Sequence, residues 1–558
     1  MTRQGALTIQ TNQTVLVDTH HEAFEEVQKH LFTFAELTKT LEHVHFYRIT
    51  PISLWNAAAN RIPLQTILST LETYSRYSIP PSVVKFIEEH YNRYGQVVFY
   101  NSNNKLLIKV ATPELRERLT SFLKTFDLEP TDEGFLASLD NRGEIKATLM
   151  KHLIPVQDMA GYEKGEKLPF QLRSITRSGA AFSLRFYQAE AAYLFSQWKE
   201  GSGVIVLPCG AGKTIVGIAI MQDIQENTLI IATNLEALHQ WKRELLDKTT
   251  LTESQIGEYT SQNKTIRPVT LTTYHMLVHR RSNSEQRHID ILTSQQWGLI
   301  IYDEVHILPA PIFRLTTAIQ GKRRLGLTAT LVREDNQEGE VFSLIGPKIY
   351  EYGWKTLEAE GWIARAQCYE IRVPLSPEDF ETYLKSSHRA RFRIASENRN
   401  KIAAVAYLLE QFQDKNILII GHFLEQLEEI SQTFNIPLIT GQTPSDQRER
   451  LYHQFREGEI TTLIVSRVGN FSIDLPSANV AIQISGIFGS RQEEAQRLGR
   501  ILRPQNGNSH FFTIVSQNTI EEDFAKRRQT FLIEKGYSYE VVYFTPKTKN
   551  IIHEVSLP

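Results

Sequence analysis

Gly203-Val204-Ile205-Val206-Leu207-Pro208-Cys209-Gly210-Ala211-Gly212-Lys213-Thr214 runs an apolar strand straight into a glycine turn that ends in Lys-Thr. Glycines let backbone N–H groups close around phosphate oxygens, and the helix that follows offers its positive N-terminal end. Gly210 and Gly212 suit that cradle, Lys213 can reach the β- and γ-phosphates of a nucleoside triphosphate, and Thr214 can hold Mg²⁺. The strict pattern asks for glycine at position 207, where Leu207 stands. The reading therefore depends on what surrounds the loop.

Outward from this loop, between about 185 and 350, β-like apolar runs alternate with helical segments. The runs are Val204 to Leu207, Thr228 to Ala232, Pro268 to Thr272, Leu299 to Tyr302 and Arg324 to Leu327. Such alternation predicts a parallel sheet with crossover helices. From about 355 to 540 a similar order recurs, with Asn416 to Ile420, Pro437 to Thr440, Thr462 to Val465 and Val480 to Ile484 as strands. The fold class is α/β, with two such lobes in tandem and no literal sequence repeat between them.

The run Leu299-Ile300-Ile301-Tyr302 ends in Asp303-Glu304-Val305-His306. A carboxylate at the carboxyl end of a parallel strand sits beside the phosphate crevice. Asp303 is assigned to Mg²⁺, through water, and Glu304 to polarising the attacking water. Leu327-Thr328-Ala329-Thr330 follows another strand and offers two hydroxyls that could relay the state of the phosphate. In the second lobe, Gln496, Arg500 and Arg503 fall at helical spacing on one face. Guanidinium groups suit the charge of a transferring phosphoryl group, whereas a solvated basic helix face is the bland reading.

The 558 residues exceed what one core usually serves. A net charge of -2 gives no global basic excess, so nucleic-acid contact would rest on a local patch. Two cysteines cannot make a disulfide framework or a Cys-rich zinc site, which fits a reducing, cytoplasmic setting. No stretch approaches the apolar length of a membrane span. Residues 1–91 read as a mixed domain, with strands at Ala6 to Gln10 and Thr14 to Asp18 and helix-like patterning at Glu22 to Leu41 and Pro63 to Ser75. His43 and His45 are read as ordinary, partly buried histidines. Val97 to Tyr100, an Asn101-Ser102-Asn103-Asn104 turn and Lys105 to Val110 predict a hairpin, and Thr112-Pro113 predicts a capped helix start.

Cys209 to Thr214, Asp303 to His306, Leu327 to Thr330 and Gln496 to Arg503, in that order, resemble the motifs of superfamily 2 helicases. More narrowly, Leu327 to Asp335 and Ser472 to Val480 resemble the XPB family, the helicases of nucleotide excision repair and transcription initiation. The resemblance covers roughly 185 to 540. The region before it, through Tyr47-Arg48-Ile49-Thr50-Pro51 and Ser53-Leu54-Trp55-Asn56, resembles the prokaryotic members. It implies two RecA-like lobes, 169–352 and 353–558, behind small mixed domains at 1–91 and 92–168. The second of these resembles a damage-recognition domain, and a thumb-like insertion is implied near 374–399.

Residue by residue, Gln188 matches the glutamine that reads adenine, with Arg185 beside it, and Asp474 matches a nucleotide or ribose contact. Arg500 and Arg503 match arginine fingers. Thr233, Gln240, Trp241, Thr273 and Tyr274 match segments that touch the nucleic-acid backbone. Arg333-Glu334-Asp335 matches a motif tied to strand separation, and Asn470 stands where an acidic residue is expected. In the insertion, Arg389, Arg391, Phe392 and Arg393 interleave cations with an aromatic, a composition suited to phosphate contact and stacking. ATP and Mg²⁺ are the implied cofactors, DNA the partner, 3′ to 5′ the direction, with a nuclease partner common beside prokaryotic members and no zinc expected. Two rivals stay open: a double-strand translocase that does not unwind, and a nucleic-acid-binding scaffold with a vestigial ATP site.

Overall fold

The computed structural model describes residues 5–40, 43–160, 165–198, 201–208, 210–278, 292, 295–305, 319, 321–329, 341–342, 345–362, 365–466, 478–485, 509–534, 537, 539–546 and 550–553. The chain divides into two compact units, Met1–Leu207 with Gly212–Tyr352, and Pro208–Ala211 with Gly353–Pro558.

The first unit opens on an antiparallel sheet of β1 (Leu7–Ile9), β2 (Thr14–Asp18), β3 (Glu36–Thr40) and β4 (Val44–Arg48), ordered β1-β2-β4-β3. Strict alternation in β2 turns Val15 and Val17 inward, where they meet Val27, Leu31, Leu54, Leu71 and Ile87 from the helices that follow. The helix expected to run from Glu22 to Leu41 stops at Leu31, and Glu36–Thr40 is a strand instead. Backbone pairing with β4, reinforced by the Thr38 hydroxyl on the Phe46 carbonyl, overrides the local helical pattern.

A second sheet contains β5 (Val97–Ser102), β6 (Lys105–Val110), β7 (Glu129–Thr131), β8 (Gly134–Ser138) and β9 (Gln157–Asp158), ordered β7-β8-β6-β5-β9. Asn103 and Asn104 take the two positive φ values that a tight hairpin turn requires. Thr112 caps the helix Pro113–Phe122 through the Leu115 N–H at 3.2 Å. Asp158 is gripped by Arg142 Nη2 at 2.6 Å and Lys146 Nζ at 2.9 Å. This ion cluster borders a cavity of about 40 Å³ whose other walls include Ser202, Arg324 and Phe342. The first domain meets the same lobe at one strand: Asn56 accepts from the Lys348 N–H and Asn60 donates to the Lys348 carbonyl.

The seven-stranded sheet of this lobe is β10 (Ser202–Val206), β11 (Thr228–Ala232), β12 (Ile256–Tyr259), β13 (Val269–Thr273), β14 (Trp297–Asp303), β15 (Gly321–Thr328) and β16 (Lys348–Glu351). Every pair is parallel, in the order β12-β13-β11-β14-β15-β10-β16. Strands β11 and β13 are buried at every position, as a sheet covered on both faces demands. Lys167 and Leu172, on either side of the boundary expected between 168 and 169, both lie along this lobe, bridged to Glu226 and Thr249.

The second unit holds β17 (Ala366–Val373), β18 (Ile417–Ile420), β19 (Leu438–Ile439), β20 (Thr462–Val465), β21 (Val480–Gln483), β22 (Ser509–Ser516), β23 (Tyr539–Thr545) and β24 (Asn550–His553). They are ordered β19-β20-β18-β21-β22-β17-β23-β24, parallel except for β24. Two helices, Pro377–Lys385 and His388–Ser396, follow β17. Lys401 is fully buried, its ammonium 2.9 and 2.7 Å from the two oxygens of Glu521 and 2.8 Å from the Ile484 carbonyl. The architecture is α/β, two tandem RecA-like parallel-sheet lobes behind small mixed domains.

Candidate active site

The loop after β10 leads into the helix Lys213–Ile224 through Gly210 at φ 81° and Gly212 at φ 80°. Side chains are strained at these angles, so glycine serves a conformational need here. A Cβ at Gly212 would also fall 2.5 Å from Gln188 Nε2. Gln188 is 4% exposed and its Oε1 accepts from the Arg185 N–H at 3.0 Å. The glutamine carboxamide is thereby seated against the phosphate loop. Arg185 itself donates to the Tyr187 hydroxyl at 3.0 Å, and Tyr187 stacks on Tyr352.

Lys213 and Thr214 begin the helix and remain partly accessible. Lys213 Nζ lies 3.0 Å from Glu304 Oε1. Asp303 ends β14 at the carboxyl edge of the sheet, and Glu304 turns the chain with φ 48°. Burial and the neighbouring Glu304 push the Asp303 carboxyl well above the ordinary carboxylate range, against the Trp241 hydrogen bond and the Lys213 charge. The hydroxyl of Thr214 and the carboxylate of Asp303 form the all-oxygen set that Mg²⁺ prefers, so these residues fit the metal and the nucleotide phosphates.

Trp241 and Tyr274, matched above to segments that touch the nucleic-acid backbone, both hydrogen-bond to Asp303. Trp241 is 1% exposed and donates from Nε1 to Asp303 Oδ2 at 3.0 Å. Tyr274 is buried and donates its hydroxyl to the Asp303 carbonyl at 2.8 Å. Burial, then the Asp303 charge, push the Tyr274 hydroxyl well above its usual value, which keeps it a donor. Thr273 is buried too, and Phe392 packs inside the second unit against Phe423 and Phe524. In this structure the side chains of these four present little accessible surface. No local signal marks the role of the two aromatics: Trp241 lies midway along the helix Leu235–Lys248, Tyr274 directly follows β13, and their partner is remote in sequence.

Thr233 and Gln240 are half-buried and Arg389 is exposed. Arg391 donates to the Tyr383 and Leu384 carbonyls, and Arg393 pairs with Glu397 and Glu425. Thr328 is buried at the end of β15, where its carbonyl accepts from the Leu207 N–H at 2.9 Å. His306, Thr330, Arg333, Glu334, Asp335, Asn470, Asp474, Gln496, Arg500 and Arg503 lie outside the described residues.

A parallel sheet carrying a Gly-x-Gly-Lys-Thr loop, a strand-end Asp-Glu pair and a second parallel-sheet lobe defines a helicase-type P-loop protein. The profile "ERCC3/RAD25/XPB C-terminal helicase" matches residues 357–555, and "Type III restriction enzyme, res subunit" matches 181–333. "Helicase conserved C-terminal domain" matches 7–129. The chain is 46% identical over 541 residues to "DNA 3'-5' helicase XPB" of Mycobacterium tuberculosis, covering 96% of this chain and 97% of that one. It is 44% identical to the protein of the same name from Kineococcus radiotolerans, with 96% of each chain covered. A 34% identity covers 96% of this chain and 81% of "General transcription and DNA repair factor IIH helicase/translocase subunit XPB" of Antonospora locustae. The chain belongs to the XPB helicase family.

Proposed function

We propose that this chain is an ATP-dependent DNA helicase of the nucleotide-excision-repair type, moving 3′ to 5′ and driven by ATP hydrolysis. The observation that carries the reading is the Lys213–Glu304–Asp303 cluster: a phosphate-binding cation, a water-polarising carboxylate and a metal-holding carboxylate gathered at the end of one parallel sheet. The resident cofactor would be MgATP, with Thr214 and Asp303 on the metal and Gly210, Gly212 and Lys213 on the phosphates. Mg²⁺, when bound, draws charge from the transferring phosphoryl group. Gln188 and Arg185 would orient the base, and Asp474 the ribose. Arg500 and Arg503 would bring positive charge to the γ-phosphate, with Gln496, on the same face by helical spacing, offering a neutral hydrogen-bonding carboxamide.

Thr233, Gln240 and Arg389 remain the proposed DNA-facing residues, with His306, Thr328, Thr330 and Arg333-Glu334-Asp335 coupling hydrolysis to strand separation. Contacts of this kind grip the backbone, so sequence preference is slight and binding is salt-sensitive. The site of action is the cytosol or nucleoid of a prokaryotic cell, where a nuclease partner would cut beside the opened strands. The deciding experiment is the ATPase rate without DNA and with single-stranded, duplex and forked DNA. Stimulation greatest with forked or single-stranded DNA supports a helicase. Stimulation confined to duplex supports a translocase, the alternative in the name of the Antonospora relative, and no hydrolysis at all overturns the ATP site.

A further inference from the structure

Asp303 is held from two directions by buried aromatic donors on separate elements. Trp241 lies on the helix Leu235–Lys248 that follows β11, and Tyr274 stands immediately after β13. One donor fixes the carboxylate at 3.0 Å and the other fixes the main-chain carbonyl of the same residue at 2.8 Å. A buried donor aimed at one carboxylate oxygen removes the rotational freedom that an Asp side chain otherwise keeps, and second partners of this kind orient metal-holding groups.

The seat of Trp241 is itself built into the phosphate-loop helix. Gly217 lies within Lys213–Ile224, and a Cβ there would fall 2.5 Å from Trp241 Cη2 and 3.3 Å from Leu327 Cδ1. Glycine inside a helix costs about 1 kcal/mol relative to alanine, so its presence calls for a packing reason. The indole supplies that reason. It passes across the helix that carries Lys213 and Thr214 and ends on the carboxylate proposed to face the same cation.

We infer that Trp241 and Tyr274 are positioning residues that hold Asp303 in the orientation the Mg²⁺ of MgATP requires, with Gly217 clearing the space for the indole. The inference rests on the proposed ATP site, and it assigns to the two aromatics a role in metal affinity, where packing alone would give them none. Neither residue touches nucleotide. Each acts through Asp303, so losing a donor should change how much the metal contributes to nucleotide binding and leave the metal-free contacts of Gly212 and Lys213 in place.

The test replaces only the donors: Trp241→Phe and Tyr274→Phe each keep a ring. Binding of a fluorescent ATP analogue to the full chain is measured with Mg²⁺ and with EDTA, beside thermal melting. Each variant is expected to lose at least fivefold of the Mg²⁺-dependent gain in affinity, with EDTA binding and melting midpoint as in wild type. DNA-stimulated kcat should fall about tenfold and recover in part at high Mg²⁺. A wild-type Mg²⁺ gain in both variants overturns the inference. So does an equal loss with Mg²⁺ and with EDTA alongside a lowered midpoint, which would make the rings packing alone. Nucleotide binding is read without DNA, so a wild type that hydrolyses ATP without DNA stimulation refutes the helicase reading and leaves this comparison intact.

Discussion

The Lys213–Glu304 pair leads to an unusual expectation for Glu304→Gln. Lys213 Nζ is 3.0 Å from Glu304 Oε1, and the two side chains are 11% and 18% exposed. A nucleotide that recruits Lys213 must draw the ammonium off this carboxylate. The Lys213 ammonium stays charged in the variant, so what is lost is the ion-pair part of the contact. For a mostly buried pair this lies between the ~0.2–1 kcal/mol of an exposed pair and the ~4 kcal/mol of Coulomb energy at an effective dielectric of about 20. Taken as about 1–1.5 kcal/mol, it is close to tenfold in affinity. The same change removes the group proposed to polarise water, a contribution of roughly 10²–10⁴ in rate. Glu304→Gln should bind ATP about tenfold tighter and turn over at least a hundredfold slower. Titration with a fluorescent ATP analogue, followed by steady-state ATPase on forked DNA, reads both. Affinity unchanged or weakened, or turnover within threefold of wild type, would refute the competition.

Three further outcomes follow from other sites. Lys401→Met should destabilise the second unit by ~3–5 kcal/mol, because Glu521 is left charged and buried, and Lys401→Met with Glu521→Leu should recover most of the loss in urea melts. Burial alone would raise the Asp158 carboxyl, but Arg142 and Lys146 outweigh it and hold it well below its usual 3.8. A carboxyl depressed in the folded state contributes stability above its unfolded value and loses it as pH falls through that range. Wild type should therefore lose more stability than Asp158→Asn between about pH 5 and 3 in paired thermal melts. Gly212→Ala meets φ 80° and the Gln188 amide together. It should cost about 1–2 kcal/mol in backbone strain and weaken ATP binding at least tenfold, measurable by melting and titration.

The phosphate loop, the Asp303-Glu304 strand end and the alternation of both lobes were legible because each is local: glycine torsions, a strand terminus and runs of branched apolar residues. Thr228 to Ala232 and Thr462 to Val465 were read to the residue. Strands Ala366–Val373 and Ser509–Ser516 escaped, since they mix polar and apolar residues and gain their identity from pairing with each other. Trp241 and Tyr274 were read through family position as DNA contacts; the partner they hydrogen-bond to lies 62 and 29 residues away in sequence. Such a bond exists only once β11, β13 and β14 are side by side. The Lys401–Glu521 pair, 120 residues apart, was hidden for the same reason.

ATP hydrolysis at Lys213, Asp303 and Glu304 is proposed to drive strand separation on DNA. Strand displacement from a duplex with a 3′ single-stranded tail, run beside a 5′-tailed duplex and a triplex, tests it most directly. ATP-dependent release is expected from the 3′-tailed duplex, little from the 5′-tailed one, and none from either with Lys213→Ala. Triplex displacement without strand separation, or unwinding that survives Lys213→Ala, would contradict it.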